Sequence, residues 1–162
     1  MIIAIDPGPT TSGIVWLSES TSVIRSKAEM NNFNVLNELT MVADYLSTDV
    51  VIEMIASYGM PVGAEVFETC VWIGQFMRRW YDVSRRPAGR LFRREVKLHL
   101  CGNVAAKDPN VRQALIDRFG PGRAKAIGTK RAPGPLYGVT GDAWAALAVG
   151  VTWRDKGGRV VT

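Results

Sequence analysis

The chain has few soft metal ligands: one histidine and two cysteines, Cys70 and Cys101, in 162 residues. The cysteines lack the close pairing of a zinc motif, so a zinc site is not expected. Both sit among apolar neighbours and read as buried thiols rather than as a disulfide. No apolar run reaches the roughly 18 residues that a membrane span needs. The first residues lack the basic stretch and small-residue cleavage pattern of a secretory signal. A cytoplasmic location is therefore expected. Basic residues are also scarce in the first half: residues 1–77 hold two, Arg25 and Lys27, against nine acids. Residues 78–162 hold eighteen basic residues against six acids. The net charge of +5 thus conceals an acidic first half and a strongly basic second half. That division points to a polyanion-binding surface built mainly from the second half.

What the chain does have is a succession of short apolar runs and helical periodicities. Residues 1–6, 12–18 and 22–28 read as three strands with brief connections, an antiparallel meander. From Asn32 to Leu46 the apolar residues Phe33, Leu36, Leu39, Val42, Ala43 and Leu46 recur at helical spacing, with Asn31 or Asn32 as the cap. Residues 49–55 form a buried strand, and 63–81 a helix with Val66, Cys70, Ile73 and Met77 on one face. A strand over 89–93 and helices over 94–100 and 108–119 follow. Residues 120–139 read as a long basic loop. Thr140 or Gly141 caps a last helix that runs to about Trp153. The order predicts an α/β fold, a mixed five-stranded sheet flanked by helices, in one domain over 1–154 with a tail at 155–162.

Three acids are placed as a catalytic set requires. Asp6 ends the first strand, Glu53 interrupts an apolar strand, and Asp142 opens the last helix, where Ala145 and Ala146 permit close packing. Clustered carboxylates repel unless a cation neutralises them. An all-oxygen ligand set favours Mg²⁺, with Mn²⁺ as a substitute. Two such ions about 4 Å apart activate a water and stabilise the leaving oxygen of a phosphodiester. Each acid also has a plainer reading. Asp6 before Pro-Gly can organise a turn, and Asp142 can serve the helix dipole. Glu53 is harder to explain structurally, because burying it without a partner is costly.

The opening IAIDPGPTTSGIVWL resembles the first motif of the RuvC family of Holliday junction resolvases, within the RNase H-like superfamily. VVIEMI resembles the second motif. Gly74 and Gln75, then Val96, Lys97, Gly102, Ala106, Lys107 and Val111, and finally DAWAALAVG, follow in the family's order. The chain has the look of a phage-type member. The resemblance implies metal-binding catalytic roles for Asp6, Glu53 and Asp142, DNA-phosphate or transition-state roles for Lys97 and Lys107, and a homodimer, for which helix 63–81 is the expected interface. One departure stands out: Ala145 occupies the place of the family's second acid in the last helix, a form closer to the related YqgF proteins. A fourth ligand would have to come from water, DNA or another acid such as Glu65 or Glu68.

Arg78, Arg79, Arg85, Arg86, Arg90, Arg93, Arg94 and Lys97 crowd one stretch against only Asp82 and Glu95. With Lys107 and Arg112 they are the expected DNA contacts, positioning the phosphate backbone without reading sequence. Trp72, Phe76 and Trp80 are either core or a platform for unpaired bases. The expected activity is metal-dependent cleavage of branched DNA. The alternatives are an RNase H-like nuclease acting on other DNA or RNA, and a catalytically silent nucleic-acid-binding module.

Overall fold

Residues Ile2–Asp6 and Asp49–Met54 are apolar on both faces, as strands covered above and below must be, and they form β1 and β4. The structure, a computed structural model, describes residues 1–18, 23–42, 44–57, 59 and 61–158. The remaining strands are β2 (Thr11–Leu17), β3 (Val23–Asn31) and β5 (Gly89–Phe92). They stand in the order β3-β2-β1-β4-β5. β1 pairs antiparallel with β2 and parallel with β4, and β5 extends the sheet parallel to β4.

Helices cover both faces of this mixed sheet. On one side α1 (Asn32–Thr40) and α2 (Ala64–Ser84) bring Leu36, Leu39, Ile73, Phe76 and Trp80 against Ile3, Ile5, Ile14 and Ile52. On the other, α3 (Arg93–Cys101), α4 (Asp108–Phe119) and α6 (Ala143–Asp155) bury Ala4, Val15, Val51 and Leu91; a short α5 (Arg123–Ala126) lies between α4 and α6. α6 approaches the sheet closely because Gly150 has no side chain. A Cβ there would stand 2.9 Å from the Ala4 Cβ and 2.5 Å from a Leu17 methyl, closer than packed atoms allow. Among the described residues no helix is long and apolar enough to cross a membrane.

The expected five strands and flanking helices form, with corrections at particular places. α1 stops at Thr40 although helical spacing continues to Leu46. Asp44 is the reason. Its carboxylate accepts the Ser47 N–H at 3.2 Å and its carbonyl the Thr48 hydroxyl at 2.6 Å, so a side-chain-organised turn replaces the last helical turn. Ala43, counted in that spacing, lies outside the described residues. α2 buries Thr69, Ile73, Phe76 and Trp80, so its inner face is rotated from the expected one and Cys70 is exposed. Both cysteines are free. The basic loop contains α5, and α6 begins after Asp142 rather than after Thr140 or Gly141. Of the expected tail, residues 159–162 lie outside the described residues.

Candidate active site

The parallel ladder between β1 and β4 ends at Ile5 and Ile52. The next residue on each strand is Asp6 or Glu53, and both alternate onto the face that carries Ala4 and Val51. That is the face beneath α6. Opposite Asp6 on β2 stands Gly13. A Cβ on Gly13 would be 2.9 Å from the Asp142 Cβ and 2.5 Å from its carbonyl oxygen. Glycine here lets the residue before α6 lie directly on the strand pair, which brings Asp142 beside Asp6. Gly13→Ala is expected to cost roughly 1–3 kcal/mol through overpacking and to displace Asp142. Thermal melts of the variant, compared with the position of the α6 start in its crystal structure, check this.

The plainer explanations of these acids find little support in the geometry. The Pro7-Gly8 turn is held by two buried polar residues: Asn32 Nδ2 donates to the Gly8 carbonyl at 3.0 Å, and the Ser12 hydroxyl, which accepts the Gly8 N–H, donates to Asn32 Oδ1 at 2.7 Å. Among the described residues no hydrogen bond holds the Asp6 carboxylate. Asp142 occupies the cap position of α6, yet its side chain accepts no helix N–H.

The site is electrostatically tense. Burial, then Glu53, push the Asp6 carboxyl up to about 8, with Asp142 and Asp108 adding to the rise and Arg93 opposing it. Glu53 is only 8% exposed; burial raises its pKa against the pull of Arg93. Arg93, the first residue of α3, donates from Nη1 to Glu53 Oε2 at 3.0 Å and from Nη2 to Asp108 Oδ1 at 2.7 Å. Burial works against the Arg93 charge, but Glu53 and Asp108 outweigh it and keep the guanidinium ionised. Lys97 Nζ stands 4.0 Å from the same Asp108 oxygen.

A cleft of about 210 Å³ opens beside Asp6, Pro7, Glu53, Ile55 and Arg93. A second, of about 310 Å³, is lined by Arg93, Arg94, Lys97 and Val104. Arg93 borders both, so an acidic pocket adjoins a basic trough. Buried Glu53 beside half-buried, unbonded Asp6 fits a hard divalent cation by donor chemistry. As the side chains stand, no three His, Cys, Asp or Glu groups among the described residues close to metal-ligand spacing. The Arg93 guanidinium pairs with Glu53.

The other expected residues scatter. Arg86 is a structural clamp at the opposite end of β4. It donates to the carbonyls of Tyr45, Leu46 and Thr48 and, at 2.7 Å, to Asp49. Arg78 pairs with Asp82 at 2.9 Å, and Arg79 bonds the Thr40 hydroxyl, both in the helical layer behind the sheet. Arg85 is the left-handed cap of α2, and Arg90 is exposed on β5. Arg112 lies over the Trp144 ring at 4.5 Å. Lys107 precedes α4 and adjoins Asp108 in the chain. Phe76 and Trp80 are core, and Trp72 packs edge-on against Phe33 at 5.0 Å, so this helix offers no aromatic platform at Phe76 or Trp80. Glu65 and Glu68 are exposed on α2, whereas Asp108 influences both Asp6 and Glu53. Asp108 and Gly13 were not singled out from sequence: an acid in a helix's first turn looks like a dipole partner, and a glycine within a strand looks like a local irregularity.

No family model and no curated protein matches the chain. Solved structures do. RuvC of Thermus thermophilus matches at 17% identity with a TM-score of 0.63, over 96% of this chain and 96% of that one. The fold is RNase H-like. A second match is T. thermophilus RuvC in complex with a Holliday junction substrate, at 18% identity and a TM-score of 0.57, covering 93% of this chain and 90% of that one. The RuvC-like fold therefore accounts for nearly the whole chain, including the helices on both sides of the sheet.

Proposed function

We propose that this protein is a divalent-metal-dependent endonuclease that cuts branched DNA in the manner of a Holliday junction resolvase. The observation that carries the reading is the pair of half-buried Asp6 and buried Glu53, with Asp142 beside it, opening onto a trough lined by Arg93, Arg94 and Lys97. The RuvC-like fold supports it, and one of the matching structures holds a Holliday junction substrate.

Asp6, Glu53 and Asp142 would hold the ion. A divalent ion there would supply charge at the scissile phosphate and make a water nucleophilic at neutral pH. The chain's own residues do the rest. Arg94, Lys97 and Lys107 attract and orient the phosphate backbone without reading bases, so affinity falls steeply with salt. The low exposure of Glu53 limits water around the reacting group, which strengthens each charge interaction. Two symmetric cuts need two sites, and a second copy docked through α1 and α2 would supply the other. Exposed Phe33, Phe67 and Val71 on that layer support a homodimer there.

The test is cleavage of a labelled four-way junction beside a linear duplex of the same sequence, with Mg²⁺ or with EDTA. The reading requires Mg²⁺-dependent cutting that prefers the junction by about tenfold or more, a gap of roughly 1.4 kcal/mol in transition-state stabilisation. Equal cutting of both substrates would remove the branched-DNA specificity. No cutting under any divalent ion would leave a binding module.

A further inference from the structure

We infer that Arg93 is a resident counter-ion of the carboxylate pocket, one with which a divalent ion must compete for Glu53. The inference rests on the metal-site reading above and adds a residue that opposes metal entry. The sequence offers Arg93 as one more phosphate contact in a basic run. Its guanidinium instead faces inward, less than a third exposed, with one nitrogen on buried Glu53 and the other on Asp108.

This geometry has a consequence for metal binding. The Arg93 N–H, 3.0 Å from Oε2 and 3.4 Å from Oε1, competes with a metal for the Glu53 carboxylate. A guanidinium and a divalent ion within a few ångströms of one another also repel. Asp108 supplies a second anchor at the rim, 70% exposed against 11% for Glu53. Once Glu53 is released, Arg93 can stay on Asp108 and turn toward the trough it already lines with Arg94 and Lys97. A phosphate lying in that trough would then meet a third cation. The same guanidinium would oppose an ion in the pocket and serve the phosphate backbone in the trough.

The experiment is a titration of the DNA-free protein with Mn²⁺ alone, followed by calorimetry and by the EPR signal of free Mn²⁺. Wild type, Arg93→Gln, Arg93→Lys and Asp6→Asn are compared. Removing a unit charge beside a divalent ion should tighten Mn²⁺ binding by about tenfold or more in Arg93→Gln. Arg93→Lys, which keeps the charge but not the fork, should stay close to wild type, and Asp6→Asn should lose the site. A merely structural arginine would give equal or weaker binding on removal. Equal or weaker Mn²⁺ binding in Arg93→Gln, with Asp6→Asn still abolishing it, overturns the counter-ion role and leaves the metal site standing. Absence of Mn²⁺ binding in both wild type and Arg93→Gln overturns the metal site and the competition with it. If Arg93→Gln does not fold, Arg93→Met, which keeps the length without the charge, is read by the same criterion: tighter Mn²⁺ binding than wild type supports the counter-ion role, and equal or weaker binding overturns it.

Discussion

Glu53→Gln should reduce metal-dependent cleavage by about a thousandfold or more, equivalent to roughly 4 kcal/mol of transition-state stabilisation, and leave DNA binding intact. The amide keeps the size of the side chain, so the strand and the core beneath it persist. It loses the charge that would hold a cation between β1 and β4. Junction affinity should hold or rise, because the proposed phosphate contacts are Arg94, Lys97 and Lys107 and the variant removes a negative charge beside them. Arg93 loses its ionic partner in the variant and keeps Asp108. Single-turnover rates and a gel-shift series at fixed salt measure the two effects separately. Loss of binding together with cleavage would mean that Glu53 supports structure rather than chemistry.

Asp6→Asn should stabilise the metal-free protein at alkaline pH. The folded-state pKa of Asp6, about 8, lies above its ordinary value of 3.8. The folded state therefore holds a proton that the unfolded chain has released. That contribution is fully present below about pH 4 and is lost progressively as pH rises toward 8. Asparagine carries no such charge. The variant's advantage should grow through that window and reach at least about 2 kcal/mol at pH 8, a rise of roughly 4–8 °C in Tm for a chain of this size. Adding Mn²⁺ should reverse the order, since only the wild type gains from binding the ion. Melts at pH 4, 6 and 8 in EDTA and in Mn²⁺ give the comparison. An asparagine variant no more stable than wild type at pH 8 in EDTA would mean that burial and the neighbouring acids do not hold the Asp6 carboxyl above its ordinary range.

Much of the architecture was legible because the central strands are apolar on both faces and the helices carry clear periodicity. The two features that locate Asp6 and Glu53, a strand end before Pro-Gly and an acid inside an apolar strand, are local and therefore readable. The rest depends on contacts between distant residues. Arg93 belongs to a run of basic residues, and nothing in its neighbours tells which one faces inward. Only the pairing of β5 beside β4 brings the first residue of α3 over Glu53. Asp108 becomes part of the site for the same reason. The failed extension of α1 has a different cause: Asp44 competes for the backbone with a side-chain turn, which apolar spacing does not register. Phe76 and Trp80 follow the commoner fate of periodic aromatics and fill the core.

The central claim is that Asp6, Glu53 and Asp142 form one divalent-metal centre. Crystals soaked in Mn²⁺, with anomalous scattering to locate the ion, test it most directly. The account predicts a peak within about 2.5 Å of carboxylate oxygens of Asp6, Glu53 and Asp142, with the Arg93 guanidinium drawn back from Glu53 and still on Asp108. Mn²⁺ bound elsewhere, with Arg93 unmoved on Glu53 in a protein that still cleaves DNA, would contradict it.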